Sequence, residues 1–198
     1  MHVSMRDKQR EETRRRLYHA ALEIFCRDGV ANCRIEDIAQ IAQVSRAAFY
    51  FHFPSKDDVL LELLQESEVP TFDAVEALPD TATLEEVFET TITNMATFWA
   101  EGDRRKLLVE MVSVSLRRTE VLNDRDAVIV RAAVGKRFVR AAERGELSNN
   151  IPSGVLCDFY LLNCFAAMAS WSTQPIMPLI DMLRGVTMLF MHGAGPAK

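Results

Sequence analysis

The sequence predicts an all-α fold of nine helices, and three observations carry that prediction. Apolar residues recur at helical spacing along almost all of the 198 residues, as they do when one face of each helix is buried. Pro (7) and Gly (8) are too few for the many turns of a sandwich or barrel. Only Val112 to Leu116 alternates like a strand. It has helix-forming flanks and no strand partner in sequence, so it is read as helix.

The elements follow in order. Leu17, Ala20, Ala21, Ile24 and Phe25 give the apolar face of a first helix, stopped by Gly29. Ile35, Ile38, Ala39 and Ala42 mark a short second helix, and Ser45 to Phe53 a short third. Pro54-Ser55 opens the fourth, with Asp58 placed as in a capping box; Pro70 is expected to kink or end it. Thr83 with Glu86 opens the fifth, which Gly102 stops, and Arg104 to Arg118 forms the sixth. Asn123 with Asp126 opens the seventh, which ends at Gly145. The eighth starts at Ser153 and closes before Pro175; the ninth spans Ile176 to His192, before Gly193.

Composition narrows the function. Hydrophobic residues at 48% and charged residues at 26% exclude a disordered chain. A net charge of −5 argues against a non-specific nucleic-acid coat. The charge is uneven, however: residues 1–58 hold 10 Lys/Arg against 9 Asp/Glu, and residues 59–198 hold 13 against 19. A small basic head on an acidic helical body results. The polar start lacks the apolar core of a secretory signal. The longest uncharged stretch, Phe159 to Ile180, is cut by Pro175 and Pro178 below the ~20 apolar residues of a membrane span. Cys26, Cys33, Cys157 and Cys164 form no CxxC pair and no zinc spacing. The expectation is a cytoplasmic chain with reduced thiols and no membrane partner.

Nothing nominates an enzyme. His2, His19, His52 and His192 fall in no metal-ligand spacing, and there is no nucleophile elbow, P-loop or dinucleotide fingerprint. No catalytic residue, metal or cofactor is expected.

The informative stretch is Ile35 to Lys56. Two short helices separated by Ala42-Gln43-Val44 have the build of a helix-turn-helix. Ile35, Ile38, Ala42, Val44, Phe49 and Phe53 point inward. The helical rotation of ~100° per residue puts Arg46, Ala47, Tyr50 and Phe51 on one outward face. Arg can grip guanine, and an apolar ring or methyl can touch thymine. Tyr50, His52 and Lys56 suit phosphates, Lys56 at the start of its own helix. Arg10, Arg14, Arg15 and Arg16 could add phosphate contacts, or pair with Glu11 and Glu12 on a solvated face. By pattern alone, an ordinary helical hairpin with an aromatic core edge fits as well.

Residues 14–63 resemble the DNA-binding head of TetR-type bacterial transcriptional regulators. The resemblance rests on Ala21-Leu22 with Phe25, Gly29, Asp37-Ile38-Ala39, Val44-Ser45, Phe49-Tyr50 with His52-Phe53, Ser55-Lys56 and Leu60, in ungapped spacing. Glu143 to Leu147 before two apolar helices also fits. Two positions depart. Gln43 stands where the family usually has Gly, at a cost of about 1 kcal/mol if the backbone there is left-handed. Cys33-Arg34 stands where Ser or Thr usually caps the second helix; Asn32 is then expected to cap one residue early, and Arg34 to supply a charged phosphate contact.

The resemblance implies a homodimeric regulator, residues 1–54 binding double-stranded operator DNA and residues 55–198 holding ligand and dimer contacts. Arg34, Ser45, Arg46, Ala47, Tyr50, Phe51, His52 and Lys56 are the expected DNA-binding residues. An unidentified small hydrophobic effector is expected among Met95, Phe98, Trp99, Met111, Phe138 and Phe165, releasing a repressor from a palindromic site. The last two helices are apolar nearly all round, which suits a seam between two copies; Phe159, Phe165, Met168, Trp171, Leu183 and Leu189 are assigned to it. A helical enzyme or a protein-interaction module is the alternative. Redox sensing through Cys157 and Cys164, on one helix face, is a minor one.

Overall fold

The structure, a computed structural model, describes residues 4–117, 129–147 and 150–194. These contain nine α-helices and no strand. They are α1 (Met5–Asp28), α2 (Ile35–Ile41), α3 (Arg46–His52), α4 (Lys56–Glu76) and α5 (Leu84–Ala100), then α6 (Leu108–Arg117), α7 (Ile129–Glu143), α8 (Ser153–Thr173) and α9 (Leu179–Ala194). The Asn123–Asp126 start expected for the seventh helix lies outside the described residues. The chain divides into two compact units, Met1–Leu63 and Leu64–Lys198.

In the amino-terminal unit, α1 packs on α2 and α2 on α3. Leu17, Ala21, Ile24 and Phe25 of α1 are buried, as are Ile38 and Ala39 of α2 and Phe49 of α3. Between α2 and α3 the backbone of Gln43 turns left-handed, with φ 55°. There the N–H of Val44 donates to the Ala39 carbonyl at 2.9 Å and that of Gln43 to Gln40 at 3.1 Å, closing α2 as a C-terminal glycine normally would. The start of α2 differs from expectation. It has no side-chain cap, because the Asn32 amide donates back to the Asp28 carbonyl at 3.0 Å.

In the carboxy-terminal unit, α5 starts on a full capping box. Thr83 accepts from the Glu86 N–H at 3.2 Å, and the Glu86 carboxylate accepts from the Thr83 N–H at 2.7 Å. The expected sixth helix is split into a 3-10 turn, Arg104–Leu107, and α6. Gly145, with φ 77°, follows the end of α7. α9 begins three residues later than expected, after Pro178, whose carbonyl accepts from the Asp181 and Met182 N–H groups. α8 packs on α6, α7 and α9. Around Tyr160 of α8 stand Phe88, Phe138 and Phe190, ring centroids 4.5–6.1 Å apart. By length and composition α8 could cross a membrane; its Asp158 instead pairs with Arg131 of α7 at 2.7 Å.

Pro70 was expected to kink or end α4; the helix does not end there but continues to Glu76, and its carboxy-terminal end is held from α7. The buried Arg137 guanidinium donates to the carbonyls of Val75, Glu76, Leu78 and Pro79, at 2.7–3.2 Å. Carbonyls at a helix end lack intrahelical partners. Arg137 supplies them, and Lys136 pairs with Glu76 at 2.9 Å beside it.

The thiols do not suit redox sensing. Cys157 and Cys164 are buried, and burial pushes both thiols up to about 12. The reactive thiolate is thereby suppressed. Cys33 is buried and raised as well.

Candidate nucleic-acid interface and body cavity

Ser45 caps α3, its hydroxyl accepting from the Ala48 N–H at 3.1 Å. Phe49 and Phe53 are fully buried and seat the helix. Arg46, Ala47, Tyr50 and Phe51 are exposed on the other side, the Phe51 ring by 67%. An apolar ring this open gains nothing from water. In a major groove it has a thymine methyl to cover. Arg46 is aimed along this face by Glu36 of α2, 3.1 Å away, and its guanidinium lies 5.6 Å from the Tyr50 ring centroid. Both partners are solvent-exposed, and such pairs are worth ~0–1 kcal/mol, so a guanine edge can compete for Arg46.

The other expected contacts are arranged differently. Arg34 is exposed at the start of α2. His52 is half-buried, and burial with Arg14 and Arg10 nearby holds its imidazolium below the usual range. At neutral pH its ring offers a phosphate a neutral donor rather than a charge. Lys56 donates to the carbonyls of Val30 at 2.5 Å and Cys33 at 3.1 Å, bracing the α1–α2 loop. Arg14 stacks 4.3 Å over Phe53 and donates to the His52 carbonyl and the Glu62 carboxylate. Arg10 lies 5.1 Å over the exposed Phe51.

The body holds a small cavity of about 20 Å³. Ser67, Glu68 and Thr71 of α4 form its polar wall, with Met95 and Trp99 of α5, Val130 of α7, and Leu161, Phe165 and Met168 of α8. Of the six expected ligand residues, Met95, Trp99 and Phe165 line it. Phe98 packs edge-on against Trp99 under Arg104, Phe138 belongs to the aromatic cluster around Tyr160, and Met111 is buried elsewhere in the core. Sequence reading missed the polar wall. Its one signal was three polar side chains at helical spacing beside Pro70. Glu68 accepts from the Ile129 N–H at 2.8 Å, and burial pushes its carboxyl up to about 7. A wider groove of about 350 Å³ lies at the surface, between α5 and α9.

The residues assigned to a seam divide. Phe159 and Leu189 are exposed, by 52% and 75%. Phe165 is half-buried against the cavity. Met168, Trp171 and Leu183 are buried within the protomer, Trp171 donating to the Met177 carbonyl at 2.8 Å. Val155, Leu162 and Met188 join the exposed apolar set. Among the described residues no group of three or more His, Cys, Asp or Glu could hold a metal ion.

Comparison with known proteins agrees with this arrangement. The family model of bacterial regulatory proteins of the tetR family matches residues 17–63. The HTH-type transcriptional regulator SrpR of Pseudomonas putida is 43% identical over 60 residues, 30% of this chain and 28% of that protein. The matched segment spans less than half the length of such curated relatives. Likeness over the whole chain comes from solved structures and establishes the fold. Thermus thermophilus FadR, a TetR family transcriptional repressor in complex with lauroyl-CoA, superimposes with a TM-score of 0.74 at 22% identity, over 91% of this chain and 94% of that one. FadR from Bacillus subtilis in complex with stearoyl-CoA gives 0.71 at 16%, over 90% and 98%. Residues 17–63 thus match the tetR family of bacterial regulatory proteins, and the fold of the chain is similar to that of solved TetR family regulators.

Proposed function

We propose that the chain is a cytoplasmic, homodimeric transcriptional regulator without catalytic activity, which binds a palindromic operator and is released from it by a small, mainly hydrophobic effector. Residues 1–54 form the DNA-binding domain in this reading, and residues 55–198 hold the effector and the dimer contacts. The observation that carries it is the α3 face: Arg46, Tyr50 and Phe51 exposed together on a helix seated by Phe49 and Phe53. A solvated surface has no use for two open aromatic rings, whereas base edges do. The matched family segment covers this same face. Support for an effector comes from the cavity, and from structural neighbours that hold acyl-CoA molecules. The exposed apolar residues of α8 and α9 supply a surface for a second copy.

Selection of bound fragments from genomic DNA tests the reading. One fragment should be retained at nanomolar protein, with affinity falling steeply as salt rises. Arg46→Ala should weaken that fragment by about 1–3 kcal/mol and relax preference at one base position. Retention of every fragment alike, or of none, would refute a sequence-specific regulator.

A further inference from the structure

The polar wall of the body cavity is out of keeping with its surroundings. Ser67, Glu68 and Thr71 are all buried, opposite Met, Trp and Phe side chains. The Ser67 hydroxyl donates to the Leu64 carbonyl at 2.6 Å. The Thr71 hydroxyl is fully buried and has no partner among the described residues. The donors identified for Glu68 are the backbone N–H groups of Ile129 and Val130, and among the described residues no basic side chain lines the cavity. A buried hydroxyl and a buried carboxyl to which the described residues supply neither a side-chain partner nor a cation are each unfavourable, so folds rarely keep such groups without a use.

We infer that this wall is the recognition end of the effector site and that it selects an apolar amine. Its ammonium pairs with Glu68 and donates to the Thr71 hydroxyl, while its ring or chain lies among Met95, Trp99, Phe165 and Met168. The inference rests on the reading of the body as an effector-binding unit and names the chemistry of its ligand. An amine brings a cation, which none of the described cavity residues gives the carboxyl, whereas an acid would set a second carboxyl against the first. Trp99 adds an aromatic ring to the lining, a side chain that attracts cations. The volume of about 20 Å³ is that of one water-sized group, enough for the ammonium head alone. The remainder must displace side chains, and Met95 and Met168 are unbranched and adaptable.

Three matched probes decide it: 3-phenylpropylamine, 3-phenylpropan-1-ol and 3-phenylpropionate, titrated into the full-length protein at pH 7.5 by calorimetry. The amine should bind about 10-fold or more tighter than the acid, with the alcohol between. Glu68→Gln, which keeps an acceptor for the Ile129 N–H, should bring amine and acid within about 3-fold. Thr71→Val, nearly isosteric, should weaken the amine several-fold at a melting temperature no lower than that of wild type. The inference is overturned if the acid binds as well as the amine, if neither variant changes amine affinity, or if no probe binds. DNA-fragment retention, measured on the same protein without probe, keeps the two readings apart. DNA binding without amine selectivity sinks the site alone, and amine selectivity without DNA binding sinks the regulator alone.

Discussion

Gln43 holds a backbone conformation, φ 55°, that no other non-glycine residue among the described ones adopts. A side chain there clashes with its own carbonyl, a strain of roughly 1–2 kcal/mol that glycine avoids, less the extra freedom glycine has when unfolded. Gln43→Gly should therefore stabilise the protein by about 1 kcal/mol, read as a higher midpoint in urea. A lower midpoint would mean that the Gln side chain contributes more than its backbone strain costs. Glu68 makes a second residue-scale prediction, with a pH signature. Its carboxyl sits near 7 in the fold against an ordinary 4.5. Below about pH 4.5 it is protonated in folded and unfolded chains alike, with no penalty. Between 4.5 and 7 the unfolded chain ionises while the folded one keeps its proton, so stability falls as pH rises. Above 7 the loss is complete, at about 3 kcal/mol. The difference in unfolding free energy between Glu68→Gln and wild type should grow from pH 4.5 to 7 and then level off. A difference that stays flat across this range would show that Glu68 is not desolvated in solution.

At the scale of elements, local signals were legible in the sequence and long-range ones were not. The Thr83–Glu86 box and the glycine after α7 act within one or two turns, and both stand where the sequence puts them. Pro70 reads locally as a helix breaker. The helix runs on past it to Glu76, and its carbonyl end is held by Arg137, some 60 residues away in sequence. The cavity followed the same rule: Trp99 and Met95 announce an apolar wall, but the burial of Glu68 depends on what α5, α7 and α8 place opposite it. The last two helices were the hardest to divide, because a helix apolar all round does not show which face looks inward. The structure turns Met168, Trp171 and Leu183 into the protomer and leaves Phe159 and Leu189 outside. A charge at Phe159 should therefore break association while sparing the fold. Phe159→Glu should run as a monomer in light scattering, with the helical content of wild type. A dimer that persists would place the seam elsewhere.

For the whole molecule, control requires that effector and operator each favour a different state of the same protein. The coupling is reciprocal: whatever factor the effector removes from DNA affinity, the operator removes from effector affinity, typically 5–150-fold. Titrating 3-phenylpropylamine with and without the retained DNA fragment measures that factor directly, and equal affinities in both titrations would exclude control through this site. The open apolar strip of Val155, Phe159 and Leu162 on α8, with Met188 and Leu189 on α9, bears on gene dosage. Covering such a strip against a second copy removes apolar surface from water, so folding and pairing draw on the same free energy. While most copies are still single, the number of pairs grows as the square of the number of chains. For the proposed dimer, occupancy of a two-headed DNA site then responds to changes in the protein's own abundance more steeply than in proportion, before any small molecule is present.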